Sequence, residues 1–85
     1  IYPNPFNPRT TIEFTLAEAG FVELAVFDLR GRLVRELDHE HRPAGLYRVT
    51  WSGRDRLGRD VPAGAYFCRL TAAGVSRTTK VTLAR

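Results

Sequence analysis

The side chains best suited to chemistry in this chain are one short run, Asp38-His39-Glu40-His41, and one thiol, Cys68. Two imidazoles at i and i+2 on an extended chain point the same way, and with a carboxylate beside them they form a donor set for a divalent metal. A tetrahedral site needs three or four protein ligands, and no third ligand stands at a recognisable spacing from the pair. The run is polar, so the expectation is a solvated loop that holds no metal. Cys68, the only cysteine, has no partner for a disulfide or a structural zinc. Placed between Tyr66 and Leu70, it reads as a small buried hydrophobe and not as a reactive thiol. Catalysis needs a nucleophile and base, or two carboxylates, converging in a cleft. Here the histidines share one segment and the neighbouring Ser and Asp residues fall in turns. The chain reads as non-enzymatic, with no cofactor.

Aromatic side chains offer a third chemistry. Trp51, Tyr47 and Tyr66 have the makings of a stacking platform for a carbohydrate. Against that, Tyr47, Val49 and Trp51 alternate with polar residues, as do Tyr66, Cys68 and Leu70. Period-2 alternation puts each set on one face of a strand, and the company of Val49 and Cys68 marks that face as the inner one. The three aromatics are therefore core candidates, with Trp51 at the centre.

The elements that position these residues are strands joined by two turn motifs, each used twice. Asp28-Leu29-Arg30-Gly31-Arg32-Leu33-Val34 and Asp55-Arg56-Leu57-Gly58-Arg59-Asp60-Val61 share D-x-x-G-R-x-V. Pro43-Ala44-Gly45-Leu46-Tyr47 and Pro62-Ala63-Gly64-Ala65-Tyr66 share P-A-G-x-Y. An Asp that bonds backbone two residues on, followed by Gly at positive φ, is the chemistry of a type I turn with a bulge. Gly31 and Gly58 are expected in matching left-handed positions. The spacing between the two motifs differs from copy to copy, so one turn solution serves two corners and the chain is no solenoid.

Strands are expected at Thr10–Leu16, Phe21–Asp28, Arg32–Asp38, Leu46–Ser52, Ala65–Ala72 and Val75–Ala84, with Asp60-Val61 as a short addition. In Arg32–Asp38 the apolar residues Leu33, Val34 and Leu37 break alternation, which points to a bulge of undetermined register. Phe21, Ala25 and Phe27 make the second face of their strand partly apolar, as in a strand covered on both sides. Six or seven short strands with no helical period define an all-β, Ig-like antiparallel sandwich over residues 10–85. Residues 1–9, with Pro3, Pro5 and Pro8, read as an extended lead-in whose Tyr2 and Phe6 pack on the domain.

Composition narrows the partners. Eighty-five residues allow one domain, and a start at I-Y-P-N-P suggests the end of a longer protein. No apolar run reaches membrane-spanning length, so no membrane insertion is expected. Net charge is +4, and the cations, nearly all Arg, are spread over turns and outward positions. Nucleic-acid binders gather such charge on one face among exposed aromatics; that pattern is missing, and no nucleic-acid partner is expected.

Five motifs stand in order: Y-P-N-P-F-N-P-R-T-T-I at the start, V-x-L-x-V-F-D-L-x-G-R at 22–32, A-G-x-Y-x-V-x-W at 44–51, G-R-D-x-x-G-R-x-V-P-A-G-x-Y-F at 53–67, and a closing K-V-T-L-A-R. Together they resemble the C-terminal sorting domain (type A) of type IX secretion cargo, a domain similar to the Ig-like domain of the flagellar hook-capping protein. The resemblance covers essentially the whole chain. It implies a non-catalytic module that directs an N-terminal cargo through the periplasm and an outer-membrane translocon of a Gram-negative bacterium, with a surface sortase as further partner. The positions matching the recognised ends are Tyr2, Pro3, Asn4 and Pro5, and Lys80 to Arg85; Gly45 and Gly64 match the turn glycines. Ser52 departs from the Asp usual before Gly53. The alternatives are a structural Ig-like module, acting as a spacer or as a self-associating filament subunit, and a carbohydrate-binding sandwich.

Overall fold

A computed structural model of the chain describes residues 10–84. Within them run six strands: β1 (Thr10–Leu16), β2 (Gly20–Phe27), β3 (Leu33–Arg42), β4 (Gly45–Trp51), β5 (Gly64–Ala72) and β6 (Val75–Leu83). They form two antiparallel sheets, β1-β4 and β3-β2-β5-β6, packed face to face. The domain is an all-β Ig-like sandwich. Asp60-Val61 lies outside the six strands, and Asp60 forms an isolated bridge with Arg54.

The alternation read from the sequence is the alternation that builds the core. From β1, Phe14 and Leu16 point inward, from β2 Val22, Leu24 and Val26, and from β5 Tyr66 and Cys68; all are buried. Two clusters result. One gathers Phe14, Leu16, Val22, Leu24 and Cys68, the other Val26, Val34, Trp51, Tyr66 and Leu83, and Ile12, Leu37 and Val81 pack against both.

β3 departs from the expectation. It does not stop at Asp38 but runs on through His39, Glu40 and His41 to Arg42, all paired with β2. The stretch read as a polar loop is therefore strand. Its polarity reflects the solvent face and the edge position, not a lack of ladder partners. The register slips twice, since Leu24 pairs Asp38 while Ala25 pairs Glu36, and Val26 pairs Arg35 while Phe27 pairs Leu33. Leu37 and Val34 are the extra residues. A bulge lets two successive residues face one way: Leu37 packs on the core and Asp38 beside it is also buried. That is why this strand's apolar residues do not alternate.

On the second face of β2, the Arg69 guanidinium lies 4.4 Å from the centroid of the Phe27 ring. Phe21 packs edge-on against His39 and His41. Tyr2 and Phe6, expected to pack on the domain, lie outside the described residues.

Candidate functional site

The two D-x-x-G-R turns are built alike, bond for bond. Asp28 Oδ1 accepts from the amides of Arg30 and Arg32, and Asp55 Oδ1 from those of Leu57 and Arg59. In each copy the Gly amide donates to the Asp carbonyl, and the Asp amide to the carbonyl of the following Arg. Each Arg then returns its Nε to the same carboxylate, at 3.1 Å in Arg32–Asp28 and 3.3 Å in Arg59–Asp55. Gly31 and Gly58 sit at φ 84° and 81°, where an L side chain is strained. Backbone donors hold both carboxyls below the usual aspartate range, Arg32's amide being the main one for Asp28 and Arg59's for Asp55.

The P-A-G-x-Y motifs are likewise one device. Tyr47 Oη donates to the Pro43 carbonyl and Tyr66 Oη to the Pro62 carbonyl, each clasping the turn four residues upstream. This is the logic of the tyrosine corner in Ig-like sandwiches. Gly45 and Gly64, at φ 152° and 141°, let the chain enter β4 and β5 from these corners.

The stacking-platform residues turn inward. Trp51 is fully buried, its indole N–H donates to the Arg54 carbonyl at 2.9 Å, and its ring meets Tyr66 edge-on at 5.1 Å. Tyr66 is buried. Tyr47, half-buried, stacks on Phe14 at 5.4 Å.

His39 and His41 do not converge on a shared point with Asp38. Asp38 faces the core, where Arg42 holds it through Nε–Oδ2 at 2.7 Å and Nη2–Oδ1 at 3.1 Å. That hydrogen bond is the first cause raising the Arg42 pKa. Arg42 in turn lies over the Tyr47 ring at 5.2 Å, tying β3 to the other sheet. Sequence reasoning missed this pair; its only signal was the i, i+4 spacing of opposite charges. Register also supplies what spacing did not: Glu23 of β2 lies opposite His39, and Glu23 and Glu36 Oε2 approach His39 Nδ1 at 3.7 and 3.5 Å. All three side chains are exposed, so this reads as a solvated charge cluster on an outer face. Cys68 is free and buried, and burial pushes its thiol up to about 11.

Of the recognition candidates, Lys80 is exposed at the middle of β6 and points away from the core, beside Phe67 of β5. β6 is an edge strand, touched at its far end by the Thr10 hydroxyl bonding the Thr82 carbonyl at 3.2 Å. Tyr2, Pro3, Asn4, Pro5 and Arg85 lie outside the described residues.

Two antiparallel sheets around one core, closed at two corners by tyrosine clasps, define a member of the Ig-like sandwich class. Comparison then gives the family: residues 7–76 match the FlgD Ig-like domain, and the chain belongs to that family. It is 36% identical over 55 residues to the "Basal-body rod modification protein FlgD" of Salmonella typhimurium, and equally to that of Salmonella typhi. The alignment takes in 65% of this chain but only 24% of those proteins, so the chain spans about a quarter of their length. Among solved structures it is similar to FlgD of P. aeruginosa, with TM-score 0.70 and 22% identity over 89% of this chain and 60% of that one. FlgD of Xanthomonas campestris, described in connection with hook capping in flagellar assembly, gives TM-score 0.68 and 24% identity over 93% and 57%. FlgD-type proteins, to whose Ig-like family the chain belongs, are structural and non-enzymatic.

Proposed function

We propose that this chain is a structural Ig-like module of a larger exported protein, serving as a rigid spacer or assembly element outside the cell envelope of a Gram-negative bacterium. The observation that carries it is the FlgD Ig-like match over residues 7–76, together with what the polar side chains do. Asp28–Arg32 and Asp55–Arg59 build turns, and Asp38–Arg42 braces a strand end. The FlgD relatives suggest an assembly of the flagellar hook type as the setting. Replacing the domain in its parent by an unrelated sandwich of similar size tests this. Assembly or surface display should survive if the module is a plain spacer, and fail if its surface makes specific contacts.

A finer reading is favoured by the ordered motifs at both ends of the chain: a type IX sorting module that directs an N-terminal cargo to the surface, engaged by a translocon and a sortase. The exposed Thr78, Lys80 and Thr82 of edge strand β6 then offer an edge to which another strand can add. Removing Lys80–Arg85 from the parent separates the readings. Sorting requires the cargo to remain folded but trapped in the envelope. Normal arrival at the surface leaves the structural module as the account.

A further inference from the structure

The two poles of the sandwich are unlike in shape and charge. At one pole both D-x-x-G-R turns sit side by side, joined by the Arg56 amide bonding the Val34 carbonyl at 3.0 Å and by Arg35 Nη1 bonding the Asp55 carbonyl at 3.0 Å. Their tips carry Leu29 and Leu57, exposed to 63% and 70%, which no folding requirement explains. Asp28, Asp55 and Asp60 at this pole are engaged by Arg32, Arg59 and Arg54. Arg30 and Arg56 remain as positive charge beside the two leucines.

The opposite pole is hollow. The Ala17–Gly20 turn and the hairpin joining β5 to β6 flank a half-open hollow of about 660 Å³. Its walls include Leu16, Phe21, Leu70 and Val75, and Val75 and Phe21 are exposed to 56% and 42%. Glu18 and Glu23 stand at its rim, with Arg77 the one cation among the lining residues. Apolar knobs with excess Arg therefore sit at one end, and an apolar hollow with two Glu at the other.

We propose that a second copy of this chain docks pole to pole, the Leu57 turn of one entering the Ala17–Gly20 hollow of the next, with Arg56 meeting Glu18. The proposal rests on the structural-module reading and names its contact surface. A patch meeting a different patch is a heterologous contact, so a docked pair keeps one free knob and one free hollow, and association proceeds as an open string. One turn in one hollow falls short of a standard interface, so the contact is weak. Its charged rim makes it weaker still at high salt.

Sedimentation velocity of the 85-residue chain tests this, at concentrations up to roughly 1 mM and at low and high salt. The average mass should rise past that of a dimer with concentration, and fall when salt is added. Leu57→Asp blocks the knob and Val75→Asp the hollow. Both positions are exposed, and unchanged circular dichroism and melting confirm that both variants fold. Each alone should associate at least about tenfold more weakly, whereas an equal mixture should give dimers and nothing larger, because one intact knob and one intact hollow remain. A closed dimer insensitive to Leu57→Asp overturns the proposal. So does a monomer at every concentration, which leaves the structural-module reading in place and the domain-replacement experiment to decide between spacer and assembly element.

Discussion

Removing the indole of Trp51 is the most informative single perturbation of this fold. The side chain is fully buried, in the cluster with Val26, Val34, Tyr66 and Leu83. A Trp buries about 150–250 Å², worth ~4–6 kcal/mol at 25 cal/mol/Å². Alanine keeps a small part of that, the cavity left behind adds to the cost, and large aromatic truncations settle near ~3–5 kcal/mol. The indole N–H to Arg54 carbonyl bond adds only about 1 kcal/mol or less, because an exposed loop carbonyl regains water. A chain of 85 residues has a total stability of roughly 4–13 kcal/mol, so Trp51→Ala should remove a large share of it and unfold a domain at the lower end of that range. Trp51→Phe keeps an edge-on partner for Tyr66 and should cost about 1–2 kcal/mol. Urea titration followed by far-ultraviolet circular dichroism measures both, since the only Trp is lost as a fluorescent probe. A Trp51→Ala domain less than about 1 kcal/mol below the parent would refute the claim that this ring organises the core.

Gly31→Val and Gly58→Val should each destabilise by about 1–2 kcal/mol. A Cβ at either position meets nothing within 4 Å, so the cost is chiefly backbone strain, and equilibrium unfolding showing no loss at either site would contradict it. Asp28 and Asp55 have folded pKa values below their ordinary 3.8. The stabilisation they give is complete above that value and lost as pH falls through the folded pKa, so Tm should drop on acidification below about pH 4. The double change Asp28→Asn, Asp55→Asn should flatten that drop; an unchanged slope would assign acid sensitivity to other groups. Cys68, buried and pushed up to about 11, should resist a thiol reagent at neutral pH until the domain is unfolded, and rapid labelling of the native chain would show the site to be open.

The fold was legible wherever local pattern and final environment coincide. Alternation through Phe14, Leu24, Val49 and Tyr66 marks the inner faces, and the repeated D-x-x-G-R marks turns whose bonds all close within five residues. β3 was not legible in the same way. Which residues bulge there is decided by pairing with β2, and period-2 logic fails at each slip. The same pairing decides that Asp38 is buried while His39 is exposed, and that Glu23 joins His39 from another strand. Arg69 over Phe27 is a cross-strand diagonal, invisible until β2 and β5 are set side by side. The opposed poles belong to this group too, for they exist only once six strands fix which turns share an end.

The pairing of β1 with β4 has a consequence for the order in which this chain folds. β2 with β3, and β5 with β6, are neighbours in sequence and close through short turns. β1 and β4 have no turn between them: Leu16 meets Gly45 and Thr10 meets Trp51 only after the whole β2–β3 hairpin has gone out and returned. Closing so long a loop carries an entropic cost that nothing local offsets, and non-local pairing of this kind slows folding. Along with the joining of β2 to β5, where Phe27 meets Phe67 across a still longer loop, the two-stranded sheet is therefore a late step. Substitutions at its cross-strand contacts, such as Phe14 against Tyr47, should speed unfolding while leaving the folding rate nearly unchanged.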